Sequence, residues 1–157
     1  MRLRGEVRVT VFDGDLPIMT GPELATFLDT REPDHIYTNM VTDLGRRQMT
    51  RRIVGESATI LSYIGLSTSA TTASLAATAL TDEISRKPVS VIESIATYYQ
   101  RYIAYYATTD FSSTGIAGAG GFDTASTGGT MWTIASISLS KTNAQSATVE
   151  WRVLSSS

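Results

Sequence analysis

The chain has 157 residues and a formal net charge of −2, a length that fits one domain able to bury about two thirds of its unfolded surface. The near-neutral balance excludes the basic footprint that DNA or RNA binding needs, and the absence of cysteine excludes a disulfide framework and any thiolate metal site. No apolar run reaches the ~18 residues of a membrane helix, and the polar start Met1-Arg2-Leu3-Arg4-Gly5 lacks the apolar stretch of a signal peptide, so synthesis in the cytoplasm is expected.

Charged residues make up only 18% of the chain, while Ser and Thr together supply about a quarter. The surface is therefore expected to be rich in hydroxyls, which suits lateral packing. Eight of the thirteen basic residues, all Arg, fall before residue 53, so the N-terminal third carries most of the positive charge.

Residues 7–12 alternate Val7, Val9 and Val11 against Arg8, Thr10 and Phe12, the period of a half-buried strand. Asp13-Gly14-Asp15 is turn chemistry, and Leu16-Pro17-Ile18 continues extended. Thr20-Gly21-Pro22-Glu23 has the form of a capping box, which predicts a short helix over Leu24–Leu28. Residues 29–38 form a polar connector broken by Pro33. From Asn39 to Ile53 the apolar positions Met40, Val41, Leu44, Met49 and Ile53 keep three-to-four spacing, with Arg46, Arg47, Arg51 and Arg52 on the other side, the pattern of an amphipathic helix. Ala58–Leu66 suits a buried strand, and residues 67–79 suit a loop.

Lys87-Pro88 stops any helix at that point. Strands are predicted at Val89–Ile95, Tyr98–Phe111, Met131–Leu139 and Ala147–Leu154. In the last, Val149, Trp151 and Val153 share one face, expected to pack in the core with Ile134, Ile137 or Leu139. Residues 141–145 are a hairpin-length connection. The fold class expected is mainly β, an antiparallel β-sandwich of jelly-roll type with one or two short helices in the N-terminal third. Residues 1–38 are read as an N-terminal strand and arm, and residues 39–157 as a β-sandwich domain that begins with the amphipathic helix.

Groups that carry chemistry are sparse. His35 is the single histidine, so a His-rich zinc site or a Ser-His-Asp triad would have to be built around it, and neither G-x-S-x-G nor H-E-x-x-H occurs; a loop or contact role is expected for it. The tyrosines at 98, 99, 102, 105 and 106 resemble a stacking platform, but strand alternation divides them between two faces. The stretch FSSTGIAGAGGFDTASTGGTMW at 111–132 holds six glycines. A dinucleotide fingerprint would need a following helix, and here a Ser/Thr/Gly loop follows instead. The glycines are read as allowing close backbone approach, bulges and a tight turn at Thr127-Gly128-Gly129.

Asn39-Met40-Val41-Thr42-Asp43-Leu44-Gly45, Leu61–Thr68 (LSYIGLST), Thr81–Arg86 (TDEISR), Gly115–Asp123 (GIAGAGGFD), Gly128-Gly129-Thr130-Met131, Lys141-Thr142 and Val149–Val153 (VEWRV) together, in this order, resemble a common type of tailed-phage virion structural protein. The resemblance spans about residues 39–154. It departs at Gly118 and Gly121, where the pattern has an acidic residue and Leu, and at Ser67, where glycine is more usual. It implies a compact β-sandwich building block without enzymatic activity or cofactor, located in the virion.

The expected function is capsid decoration or cement by protein–protein contacts, with a neck or tail-fibre adaptor and a receptor- or carbohydrate-binding module as alternatives. The expected partners are copies of the chain itself, as a homo-oligomer for which a trimer is one option, and major capsid or other virion proteins, with no nucleic acid and no membrane. Arg46, Arg47, Arg51 and Arg52 are expected to contact an acidic surface of a neighbouring subunit.

Overall fold

The computed structural model describes residues 2–70, 72–96 and 99–156, with backbone alone at 2–4, 91–96, 99 and 154–156. Nine strands and two helices follow along the chain: β1 (Arg2–Asp13), α1 (Gly21–Asp29), β2 (His35–Val41), α2 (Asp43–Ile53), β3 (Tyr63–Ser67), β4 (Glu83–Pro88), β5 (Val91–Ala96), β6 (Tyr99–Tyr106), β7 (Ser113–Phe122), β8 (Met131–Lys141) and β9 (Gln145–Ser156). They form one sheet in the order β4-β3-β7-β8-β2-β1-β9-β6-β5, and all strand pairings are antiparallel. The fold is mainly β, as expected.

The sheet folds over on itself into two facing halves. On one side β2 bridges them, reaching β8 only through Met40↔Ile134 and Val41↔Thr133. On the other side β4 runs on into β5 through a corner, where the Val89 N–H donates to the Ser62 carbonyl at 2.8 Å and the Ser90 N–H to the Ile103 carbonyl at 2.6 Å. One piece of chain thus supplies both margins of the sheet.

Between the halves lies the main core: Val7 and Val9 of β1, Ala104 and Tyr106 of β6, and Val149, Trp151 and Val153 of β9 meet Ile64 and Leu66 of β3, Ile116 and Ala119 of β7, and Ile137 and Leu139 of β8. The Tyr106 hydroxyl crosses this core and donates to the Ile64 carbonyl at 2.6 Å. The outer faces are covered too. Phe12 and Ile103 pack under Leu24, Ala25 and Leu28 of α1, so β1 is buried on both faces rather than one. On the opposite outer face, Phe122, Met131 and Ile134 are covered by Leu80, with Ala73 and Ala77 of the 68–82 segment packed against them. Ile134 is therefore buried as expected, in this outer cluster and not in the central one.

Several boundaries differ from the sequence reading, each for a local reason. Asn39, Met40 and Val41 belong to β2 rather than to a helix, because they find pairing partners in β8 and β1 and the Thr42 side chain then caps α2 by accepting from the Gly45 N–H at 3.0 Å. β2 crosses the 38/39 position, and β1 lies inside the sheet, paired along its length with β9. β3 starts only at Tyr63, and β6 ends at Tyr106 before a turn. The 142–144 connection joins β8 to β9, which are separated in the sheet by β2 and β1, so it spans the two halves instead of closing a hairpin. β4 and β7 were not expected as strands. Among the described residues no helix is long and apolar enough to cross a membrane.

Candidate functional site

α2 is the element on which the sequence-predicted contact residues meet. Its seat is built from small and polar groups. The Thr42 N–H donates to the Trp132 carbonyl at 2.9 Å and the Asp43 N–H to the Leu75 carbonyl at 2.8 Å, while the Thr42 hydroxyl donates to the Met131 carbonyl at 2.5 Å. Gly45 lies against the Trp132 backbone so closely that a methyl group there would overlap the carbonyl oxygen. Gln48, also buried, accepts from the Thr59 N–H at 3.2 Å, and Gly55 with φ +78° turns the chain away after the last helical turn.

With Gly45 and Gln48 against the sheet, the exposed positions are Asp43, Arg46, Arg47, Thr50, Arg52 and Ile53, so three of the six are basic and one is acidic. Arg51 pairs with Glu56 at 3.2 Å. Among the described residues Arg46, Arg47 and Arg52 form no ion pair. The helix ends in exposed Ile53 and Val54, at 75% and 64% relative exposure. Three unpaired guanidinium groups beside an apolar tip can each give several donors to carboxylates in fixed planar geometry.

Three other basic side chains, Arg101, Arg86 and Lys141, are used inside the fold. Arg101, 1% exposed, lies between the sheet and α1, with Nε 2.8 Å from Glu150 and Nη1 3.0 Å from Asp29. Arg86 stacks 3.6 Å over the Phe122 ring, binds Glu83 through two bonds of 2.6 and 2.7 Å, and donates to the carbonyls of Thr124, Ser126 and Gly128. Lys141 donates to the carbonyls of Thr108, Phe111 and Thr142. Its burial, chiefly, lowers its pKa from 10.5. None of these three was singled out from the sequence, where Arg86 stands between Ser85 and Lys87 and Lys141 between Ser140 and Thr142, so no apolar surrounding marked them as buried charges that need partners.

The six-glycine stretch is resolved by the same contacts. Gly65 and Gly120 face each other in register, and the Phe122 ring lies across both, 3.1 Å from where each Cβ would stand. Gly128 and Gly129 take positive φ in the turn that wraps Arg86. Gly120 with Gly65 makes room for an aromatic ring, and Gly128 and Gly129 make a turn. Tyr102 packs against the main core and Tyr106 belongs to it, while Tyr105 lines a surface cavity; Tyr98 and the side chain of Tyr99 lie outside the described residues. His35 is exposed at the start of β2, its ring 6.0 Å from that of Tyr37. Among the described residues no cluster of three or more His, Asp or Glu side chains could hold a metal ion. No protein-family model, no curated protein and no solved structure matches the chain.

Proposed function

We propose that the chain is a structural protein of a tailed-phage virion, in first place a capsid decoration or cement protein, which works by protein–protein contact and turns over no substrate. The observation that carries this reading is the exposed surface of α2: Arg46 and Arg47 without ion pairs among the described residues, on the face that ends in exposed Ile53 and Val54, with Arg52 exposed at the last turn, on a helix whose start is fixed to β8. Arginines grouped around an apolar tip complement an acidic patch with an apolar rim on a neighbouring subunit. The ordered motif set from Asn39 to Val153 supports the virion class, and the hydroxyl-rich composition suits packing side by side.

Such a protein meets two kinds of partner, copies of itself and the major capsid or another virion protein. A neck or tail-fibre adaptor is distinguished by copy number, which is high on a shell and low at a unique vertex.

The test is co-sedimentation with particles of the phage that encodes the chain. The parent protein is expected to bind, and reversing Arg46, Arg47 and Arg52 to Glu together is expected to weaken binding about 100-fold at low salt, with a smaller gap as salt rises. Binding of the reversed variant at parental strength, or no binding by the parent, would overturn the reading.

A further inference from the structure

The segment Gly14–Thr20 joins β1 to α1 without regular structure, yet it is held firmly. The Leu16 N–H donates to the Tyr105 hydroxyl at 2.9 Å, and that hydroxyl donates to Asp15 at 3.0 Å. Asp15 also accepts from the Thr108 N–H at 2.8 Å and its hydroxyl at 2.9 Å. These bonds, the Thr108 backbone bond foremost, hold the Asp15 carboxyl below its ordinary 3.8 and keep it charged. At the far end Thr20 caps α1, its N–H donating to Glu23 at 2.7 Å. Leu16 and Met19 turn inward onto the cluster under α1. Ile18 does the opposite, standing wholly in solvent at 105% relative exposure. A rigid lip that presents one uncovered isoleucine carries a cost in water that a partner would remove.

That lip borders two hollows that share Leu16. One is an apolar cavity of about 250 Å³ lined by Leu16, Pro17, Met19, Leu24, Ser90 and Tyr105, with Ile18 on its rim; for scale, an apolar hole of ~150 Å³ takes a benzene-sized guest. The other is a polar crevice whose walls include Asp13 and Arg31. The Arg31 guanidinium lies over the Phe12 and Phe27 rings, 4.9 and 5.6 Å from their centres. Among the described residues neither Asp13 nor Arg31 has a side-chain ion pair. The surface thus carries a knob beside a hole, and a cation beside an anion. Each is its own complement under a two-fold axis, where residue i meets j and j meets i.

We infer that this face binds a second copy of the chain as a two-fold dimer, Ile18 of each copy filling the other's cavity and Arg31 pairing with Asp13 of the partner subunit. The inference rests on the reading of the chain as a self-associating building block and gives that association a surface, separate from α2. Pro17 and the Tyr105–Asp15–Thr108 bonds fix the lip before the partner arrives, so little conformational freedom is lost on docking.

The experiment is sedimentation of the full chain across a concentration series, with circular dichroism confirming the fold of each variant. The parent is expected to pass from monomer to dimer. Ile18→Glu, at a site fully exposed in the monomer, is expected to weaken the dimer about 100- to 10,000-fold, the worth of burying two isoleucines, one from each copy. Asp13→Arg and Arg31→Asp are each expected to weaken it, and the double exchange to restore it, because the pair re-forms with its charges swapped. A parent that stays monomeric or assembles beyond a dimer, an Ile18→Glu variant that dimerises as the parent does, or a double exchange no better than the singles would overturn the proposal. Particle binding is measured on the same samples: binding without dimerisation sinks this proposal alone, and dimerisation without binding sinks the α2 reading alone.

Discussion

Tyr106 shows how one side chain ties the two halves of the sheet and sets a pH limit. Its hydroxyl is buried and donates to the Ile64 carbonyl, and burial, followed by the nearby Glu83 and Asp110 carboxylates, raises its pKa well above the ordinary 10.0. An unfolded tyrosine loses its proton near that ordinary value while the native one keeps it, so stability falls as pH rises beyond it. Lys141 acts in the other direction: with its native pKa lowered, the unfolded chain holds the proton more tightly, and rising pH favours folding up to 10.5. Tyr106→Phe is expected to remove the first effect and keep the second. Its alkaline stability profile, from denaturant unfolding at stepped pH, should be flatter than the parent's, at a cost of about 1–3 kcal/mol at neutral pH because the Ile64 carbonyl loses its donor. A parallel pair of profiles would refute the assignment. At this scale the sequence showed which tyrosines alternate, but not that Tyr106 would find a carbonyl across the core, since that partner lies 42 positions away.

Among the elements, those with strong local patterns were legible and those shaped by a distant neighbour were not. The alternating valines marked β1, the alternating apolar residues marked β9, and Thr20 with Glu23 marked the start of α1. β7 escaped because its glycines give no alternation; it is a strand because it pairs with β3 and β8, while Phe122 and Met131 fill the space beside Gly120 and Leu61 and Thr133 that beside Gly121. β4, Glu-Ile-Ser-Arg-Lys-Pro, reads as polar because it lies at a sheet margin, where Lys and Pro are tolerated. The arginine face of α2 was legible from spacing alone, whereas the cavity beside Ile18 was not, since it needs β6 and α1 brought together. α2 also sets two effects against each other at Gly45. Alanine is the better helix former by about 1 kcal/mol, but its methyl would run into the Trp132 carbonyl, a backbone group with little room to move. Overpacking of this kind costs about 1–3 kcal/mol. Gly45→Ala is therefore expected to be destabilising, and a higher denaturation midpoint would contradict the seat described for α2.

For the whole molecule, the central requirement is that β9 join β1 on one side and β6 on the other. Trp151 lies at that junction, fully buried, opposite Val7 and Tyr102. Trp151→Ala is expected to cost about 3–5 kcal/mol, a large part of the ~5–15 kcal/mol that holds a domain of this kind together. Thermal unfolding that stayed unchanged would be incompatible with that placement. The main core could be foreseen from the apolar alternation of β1, β8 and β9, while the second and third apolar clusters could not, because they depend on which segments happen to lie over the outer faces.

The pairing of Thr10 with Thr148 has a consequence for how the chain comes off the ribosome. β1 is made before every other strand of the sheet, yet its full-length neighbour emerges roughly 7 to 30 s later at ordinary translation speeds. Throughout that interval the middle of the sheet is missing, so neither half has its inner wall, and the nascent strand shows two bare edges that a chaperone or a polysome neighbour could seize. Folding is then a single late event dominated by long-range closure and slow for the chain's size, and the lip that carries Ile18 is fixed only once β6 and the strands around it are in place.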